Sequence, residues 1–229
     1  APTETYTFIA SSAASDVYKR QAEAALRLLL AAVARDLGGA LHWTDSARQL
    51  QARIELARRM EPSAGWPDLS DDWLRAHATN WLGPWLVGKT RLADARALDL
   101  VQVLTQALGW ERAVRLDSLA PAQITTPAGT RRRIEYTAGA EPVLAAPLQE
   151  LFGAAATPSI FEGRLPVLLH LLSPAGRPLQ VTRDLAAFWR SAYAEVRKEM
   201  RGRYPKHHWP EDPSSAAPVR GGVKRRLQQ

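Results

Sequence analysis

Arginine recurs at helical spacing towards the C-terminal end of this chain, and the chemistry that such a pattern suits is the holding of phosphate. A helix is expected from Arg183 to Arg201. Offsets of 7, 14 and 18 residues return near the start at about 3.6 residues per turn, so Arg183, Arg190, Arg197 and Arg201 share one narrow face. Leu185, Phe188, Trp189, Ala192, Val196 and Met200 fall on the opposite face. The string RYPKHHWPEDP, Arg203 to Pro213, comes directly after and adds Arg203, Lys206, His207 and His208 with Tyr204 and Trp209 interleaved. Guanidinium groups bind phosphate oxygens in pairs, and aromatic rings stack on bases. Most charged helix faces are simply solvated. The alignment of these arginines and the aromatic, basic string after them set this face apart.

Other residue patterns point to less. Gly83-Pro84-Trp85-Leu86-Val87-Gly88-Lys89-Thr90 satisfies the GxxxxGKT spacing of a phosphate-binding loop. Such a loop works by aiming consecutive backbone N–H groups at the phosphates. Pro84 has no N–H, three bulky residues come after it, and RAHATNWL before it reads as a helix where the motif needs a strand. Gly83, Gly88, Lys89 and Thr90 are therefore read as a decoy. His207 and His208 with Glu211 and Asp212 match no zinc spacing. Asp71 and Asp72 are accounted for by helix capping, and Trp73, Trp81 and Trp85 read as core. No GxSxG, HExxH or GxGxxG occurs, and no catalytic or metal-binding residue is assigned.

The elements that must position the arginines are locally specified. Thr182 is the expected N-cap of the basic helix, with Asp184 in its first turn, Gly202 at the left-handed C′ position and Pro205 beyond. Residues 22–119 read as helices with short breaks: an apolar-periodic run ending at Gly38-Gly39, a helix opened by Thr44 or Asp45, one capped by Ser70, one ending at Gly109 and one ending before Pro121. Together they suggest a small helical bundle. Residues 120–182 change texture. Strands are expected over Gln123–Thr126, Thr130–Tyr136 and Pro142–Ala146, then a helix over Pro147–Phe152, then strands over Pro166–Leu171 and Leu179–Thr182. Three strands, a helix and two strands is the order of a five-stranded OB-like barrel, which binds single-stranded nucleic acid across its second and third strands. Alternation places Arg131 and Arg133 on one face of the second strand and Arg132, Ile134 and Tyr136 on the other, with Arg131 and Arg133 expected outward. The fold class is thus α+β: helical bundle, barrel, and a terminal amphipathic helix over residues 183–205. Residues 206–229 form an exit loop and a Pro-, Gly- and Ser-rich basic tail with Arg220, Lys224, Arg225 and Arg226; from Ser214 onward it is expected to be disordered. Ala1 to about Gln21 fits poorly with the rest of the chain, SDVYKRQ resembling translated adaptor sequence, and is read as a suspect leader, either non-native or genuine and flexible, that is left out of the fold argument.

Composition agrees with a folded, polyanion-binding protein. The 229 residues are 46% hydrophobic with eight Trp, and no run of eighteen apolar residues that could span a membrane is present. The absence of Cys excludes disulfides and thiolate metal sites and fits a cytoplasmic location. Net charge is +7, and its position matters more than its size: residues 174–229 hold 12 Lys+Arg and 5 Asp+Glu, whereas the preceding 173 hold 18 of each. A basic end suits a polyanion, either nucleic acid or an acidic membrane surface, and otherwise serves as a solubilising tail.

The stretch VTRDLAAFWRSAYAEVRKEMRGRYPKHHWPEDP resembles the C-terminal signature of the HrpB family, bacterial ATP-dependent RNA helicases of the DEAH/RHA type. LPVLLHLLSPAGRPLQVTRDLAAFW, PVLAAPLQELFG, WPDLSDDWL and LHWTDSARQLQARI resemble the same family, collinearly from roughly residue 21 to 213. The resemblance implies a C-terminal accessory region whose helicase motor lies upstream in a longer parent protein. ATP and magnesium would belong to that motor, no cofactor to this region. An OB-fold near the C-terminus is also what the resemblance implies. The expected partners are RNA or another single strand and the motor itself. On this reading Arg131, Arg133, Arg183, Arg190, Arg197, Arg201, Arg203, Tyr204, Lys206, His207 and Trp209 contact nucleic acid, with Tyr204 and Trp209 either stacking on bases or locking the exit loop. The alternative is that the basic helix docks on an acidic surface of the motor or of another protein and never touches RNA. A membrane-surface role and a standalone ATPase rank below both.

Overall fold

The computed structural model describes the backbone of residues 3–220 and the side chains of residues 17–220. The leader's side chains up to residue 16, and Lys224, Arg225 and Arg226 of the tail, lie outside the described residues. The chain forms two compact units, Ala1–Ala113 and Val114–Gln229.

The first unit contains helices and no strand among its described residues. Helix α1 (Thr3–Arg35) runs through the boundary expected at Gln21 and buries Leu29 and Val33. After it come α2 (Leu37–Ala40), α3 (Asp45–Met60), α4 (Asp71–Ala76), α5 (Ala78–Trp81), α6 (Gly83–Leu86), α7 (Leu92–Arg96), α8 (Leu100–Leu108) and α9 (Trp110–Leu119), the last crossing into the second unit. Two helices expected to be continuous are divided. DDWLRAHATNWL breaks at His77, whose backbone leaves helical geometry and whose ring stacks on Trp73 at 4.4 Å. LADARALDLVQVLTQALG breaks because Asp99 caps a new helix, its carboxylate accepting from the Val101 N–H at 2.9 Å. Thr44 and Ser70 cap α3 and α4 through their hydroxyls.

A polar junction ties α3 to the start of α4. The Arg48 guanidinium donates to Asp71 at 2.7 Å and to Gln51 at 2.8 Å, and the Gln51 amide donates to Asp71 at 2.9 Å and to the Leu69 carbonyl at 2.7 Å. Burial alone would push the Asp71 carboxyl up. The Gln51 and Arg48 donors outweigh it and hold it below the ordinary range. Arg96 reaches back with two N–H groups to the Gly39 carbonyl, at 3.0 and 2.7 Å, and so joins α7 to α2.

The second unit is built on a mixed sheet of β1 (Gln123–Thr125), β2 (Arg131–Glu135), β3 (Val143–Pro147), β6 (Leu168–Leu172) and β7 (Pro178–Thr182), hydrogen-bonded in that order. Neighbours are antiparallel except β3 and β6, which pair in parallel from Val143↔Leu168 to Pro147↔Leu172. The five strands lie where the sequence predicts them, but they do not close. β1 and β7 stand at opposite edges, so the expected OB-like barrel is replaced by an open sheet. Closure needs tilted strands with matched stagger. Here β1 has only three residues, and the parallel pair consumes the connection: residues 148–167 form the crossover that parallel strands require, through a 3-10 turn (Leu148–Leu151) and a small hairpin of β4 (Ser159–Ile160) and β5 (Leu165–Pro166). The expected helix over Pro147–Phe152 is this turn. At the hairpin tip Phe161 has a φ of 51°, costly for an aromatic residue, and is held there by full burial and by its N–H donating to the Leu119 carbonyl at 2.7 Å.

The long basic helix is two helices, α10 (Leu185–Arg190) and α11 (Tyr193–Arg203). The break has a local cause: the Ser191 hydroxyl donates back to the Ala187 carbonyl at 2.7 Å, the competition by which serine bends helices. The N-cap is Asp184, its carboxylate accepting from the Ala187 N–H at 2.8 Å, and Thr182 lies before it. Gly202 lies inside α11, and Tyr204 ends the helix with its N–H on the Met200 carbonyl. The apolar faces gather Phe152, Phe188, Trp189 and Tyr193 into a cluster of tilted and edge-on rings with centroids 5.2–6.3 Å apart.

Beyond α11 the chain folds back as a strap. The Tyr193 hydroxyl donates to the Pro210 carbonyl, the Gly153 N–H to the Pro213 carbonyl and the Val219 N–H to the Gln149 carbonyl, each at 2.9 Å. Residues 214–220, expected to be disordered, are thus pinned by main-chain bonds that composition does not reveal. Gly153 is required at this crossing: its φ is 81°, and a Cβ would stand 3.0 Å from the Ala216 carbonyl oxygen. Burial raises the Tyr193 phenol well above its ordinary value, with Arg197 opposing.

Two contacts in this packing make testable demands. Glu150 is buried, its side chain 2% exposed, and Arg132, 34% exposed, clamps it through Nε at 2.9 Å and Nη2 at 2.6 Å. Arg132→Ala strands the carboxylate and should cost about 2–3 kcal/mol in urea denaturation, below the value for a fully buried pair because the arginine is partly wet; Arg132→Lys should recover part of it. Asp212 accepts from Ser214 N–H and from the Ser214 and Ser215 hydroxyls, bonds that lower its carboxyl to about 2. A depressed carboxyl stabilises the fold above its unfolded value and loses that contribution as pH falls through its folded value. The strap should therefore begin to lose this contribution below about pH 4 and have lost most of it near pH 2, whereas Asp212→Asn should speed amide exchange of Ser214 and Val219 several-fold at neutral pH.

Candidate nucleic-acid interface

The cations singled out by spacing have two fates. One group is neutralised within the chain. Arg183 lies just before α10 and makes a forked contact with Glu141, Nε and Nη2 reaching Oε2 at 2.9 and 2.7 Å, which raises the guanidinium further above its usual value. Arg197 turns from α11 to the strap, its Nε donating to the Trp209 carbonyl and its Nη2 to Glu211, both at 3.1 Å. Arg203 meets Glu199 one turn earlier at 3.2 Å, and Arg133 meets Glu135 on its own strand at 2.8 Å.

The second group is exposed and has no carboxylate within ion-pair distance among the described residues: Arg131 on β2, Arg190 at the end of α10, Arg201 on α11, and Lys206 in the exit loop. Strand β2 shows the alternation that puts Arg131 outward, with Arg132 turned in to Glu150 and Ile134 buried. Lys198, one turn before Arg201, is exposed and unpaired in the same way. Spacing could have found it, since i and i+3 share a helix face. A stripe that began at Arg183 did not include it.

The aromatic residues of the exit loop are mostly structural. Trp209 is 7% exposed and its indole N–H donates to the Tyr204 carbonyl at 3.0 Å. It closes the loop, which is one of the two roles expected of it. Tyr204 is half-buried and edge-on to His207 at 5.6 Å. The His207 Nδ1 is buried without a hydrogen-bond partner among the described residues. His208 packs edge-on against Phe152.

The GxxxxGKT match has a helical geometry. Gly83 is buried at the start of α6, with α5 before it. The Trp85 and Lys89 N–H groups donate to the Leu82 and Leu86 carbonyls at 3.0 Å, so they do not face a ligand. Gly88 has a φ of 75°, and Lys89 and Thr90 are exposed. No group of three or more His, Cys, Asp or Glu that could hold a metal occurs among the described residues, and no helix there is long and apolar enough to cross a membrane.

Comparison with known proteins places this arrangement. Residues 81–213 match the family described as ATP-dependent helicase C-terminal. The chain is 48% identical over 187 residues to the ATP-dependent RNA helicase HrpB of Escherichia coli (strain K12), covering 81% of this chain and 23% of that protein. The crystal structure of the E. coli DExH-box NTPase HrpB superposes with a TM-score of 0.77 at 48% identity, again over 81% of this chain and 23% of that one. A second crystal structure, of the Escherichia coli DEAH/RHA helicase HrpB, gives 0.67 at 43% identity over 79% of this chain and 23% of that one. The chain thus spans about a quarter of the length of these relatives, and with its open mixed sheet, divided basic helix and folded-back strap it belongs to the HrpB helicase family as the C-terminal region.

Proposed function

We propose that this region is an accessory nucleic-acid grip of an ATP-dependent RNA helicase, holding the phosphate backbone of a single strand while motor domains elsewhere in a longer, cytoplasmic parent protein hydrolyse ATP with magnesium. The region itself contributes contacts and no catalytic group. The observation that carries the reading is the set Arg131, Arg190, Arg201 and Lys206: exposed cations left without an in-chain carboxylate among the described residues, while their neighbours Arg133, Arg183, Arg197 and Arg203 are each given one. Unpaired guanidinium and ammonium groups release counterions when they meet phosphate, which favours binding. The concentration of excess positive charge in residues 174–229 supports the same partner.

A second reading has its own support. Arg183, Arg197 and Arg203 already serve the fold, so the remaining cations could serve protein docking on an acidic motor surface. Salt dependence separates the two. With four phosphate contacts to a single strand, RNA affinity of this chain should fall about fifty-fold between about 50 and 200 mM salt, and the variant Arg190→Ala/Arg201→Ala/Lys206→Ala should retain only about a three-fold dependence. A fluorescently labelled oligoribonucleotide followed by anisotropy gives both slopes. An affinity for RNA that is absent, or insensitive to salt, leaves docking as the function.

A further inference from the structure

The first unit holds a cleft that the basic end does not explain. Its volume is about 250 Å³, and its walls include Trp73, Trp81, Pro84, Trp85, Asn80 and Gln106. Trp81 is buried, and its indole N–H donates to the Leu74 carbonyl at 2.9 Å, fixing α5 against α4. Trp73 and Trp85 differ from it: both are only half-buried, and neither indole N–H has a hydrogen-bond partner among the described residues. Asn80 and Gln106 are exposed at the same cleft, and their amides are likewise unpaired among the described residues. Trp73 is held in place by the stacked His77 ring, inclined by 17° at 4.4 Å.

We propose that this cleft is a nucleobase-binding site, in which one base of a single strand stacks on an indole and presents its edge to Asn80 and Gln106. The chemistry selects this occupant. A flat ring with donors and acceptors around its rim matches indole faces bordered by two carboxamides, each of which offers a donor and an acceptor. The volume lies below the roughly 300–1,000 Å³ of sites for drug-sized ligands and suits a single ring system. Among the described residues the cleft carries no cation in its walls, so phosphate is not what it recognises. The site rests on the reading of this chain as a single-strand binder, and it assigns to the first unit a contact of a different kind from the phosphate grip of the second.

The test separates base from backbone. Binding of a 12-nucleotide RNA and of its abasic ribose-phosphate analogue to the full chain is measured by anisotropy, while the indole N–H signals are followed by NMR as a free nucleoside is added. Trp85→Ala should weaken the base-bearing RNA by about 5- to 100-fold, the range expected for one stacked base, and leave the abasic strand unchanged. Gln106→Ala, on an exposed side chain with no part in the core, should weaken the base-bearing strand several-fold without moving Tm, which keeps the test valid if Trp85→Ala disturbs folding. The nucleoside should shift the Trp73 and Trp85 signals. Equal losses on both strands, no loss on either, or indole shifts produced by a proline-rich peptide and not by a nucleoside would each overturn the proposal. Failure of the phosphate grip alone shows itself separately, as an abasic strand that does not bind at low salt while the nucleoside still shifts the two indoles.

Discussion

A carboxylate removed from water needs a cation, and in the second unit Glu150 obtains it from Arg132. The pair does more than neutralise a charge. Glu150 sits in the 3-10 turn that opens the crossover between the parallel strands β3 and β6, and Arg132 sits on β2, two places across the sheet from β6. Locking them together fixes which face of β2 is turned inward. Because strand side chains alternate, Arg131 and Arg133 are then committed to the other face. The same turn carries Gln149, whose carbonyl receives the Val219 N–H, so the strap that ends the described chain is anchored one residue from the ion pair. A single bidentate contact therefore links sheet register, crossover geometry and the path of the C-terminal segment.

The remaining arginines obey the same electrostatic logic with different results. Where a carboxylate lies within reach, the guanidinium becomes a fastener: Arg183 for Glu141, Arg197 for the Trp209 carbonyl and Glu211. Exposed pairs of this kind add little to stability. Their effect is positional, since Arg197 holds the exit loop against α11 and Arg183 holds the start of α10 near residue 141. Where no carboxylate of the described residues is near, as at Arg190, Arg201 and Lys206, the charge carries no in-chain partner among them. The break at Ser191 places Arg190 on α10 and Arg197 and Arg201 on α11, two short helices where one rod was expected.

The parts of this fold that depend on neighbours in sequence were legible before the structure. Strand positions, the Thr44 and Ser70 caps and the alternation of β2 all rest on periods of two or four residues, and they appear where the sequence places them. The helix expected before GxxxxGKT, where a phosphate loop would need a strand, was likewise legible. What could not be read were contacts between residues far apart in the chain. Nothing in the spacing of the arginines announces Glu141, forty-two residues before Arg183, or the sheet edges that stay unpaired. Composition misled in the tail, because Pro, Gly and Ser suit a disordered segment and equally suit a strap held by main-chain bonds at Gly153 and Gln149. Trp73, Trp81 and Trp85 read in the sequence as one class, the core. Trp81 spends its indole N–H on the Leu74 carbonyl, while the indole nitrogens of Trp73 and Trp85 at the cleft have no partner among the described residues, a difference that residue type does not encode.

On the proposed reading, the two units divide the physics of single-strand recognition between them. Phosphate contacts are long-range, depend on salt and ignore sequence. Stacking on an indole is short-range, nearly independent of salt and tolerant of which base is presented. A protein that had only the first would slide on any polyanion, and one that had only the second would bind free bases as well as a strand. Joining both in one chain makes each binding event raise the effective concentration for the other, so two weak contacts acquire an affinity that neither has alone. It also makes the grip releasable, because breaking either contact returns the strand to the weak regime. For a region proposed to act beside an ATP-driven motor, such reversibility would matter more than tightness, since a strand held by one deep site would have to leave it completely in order to move.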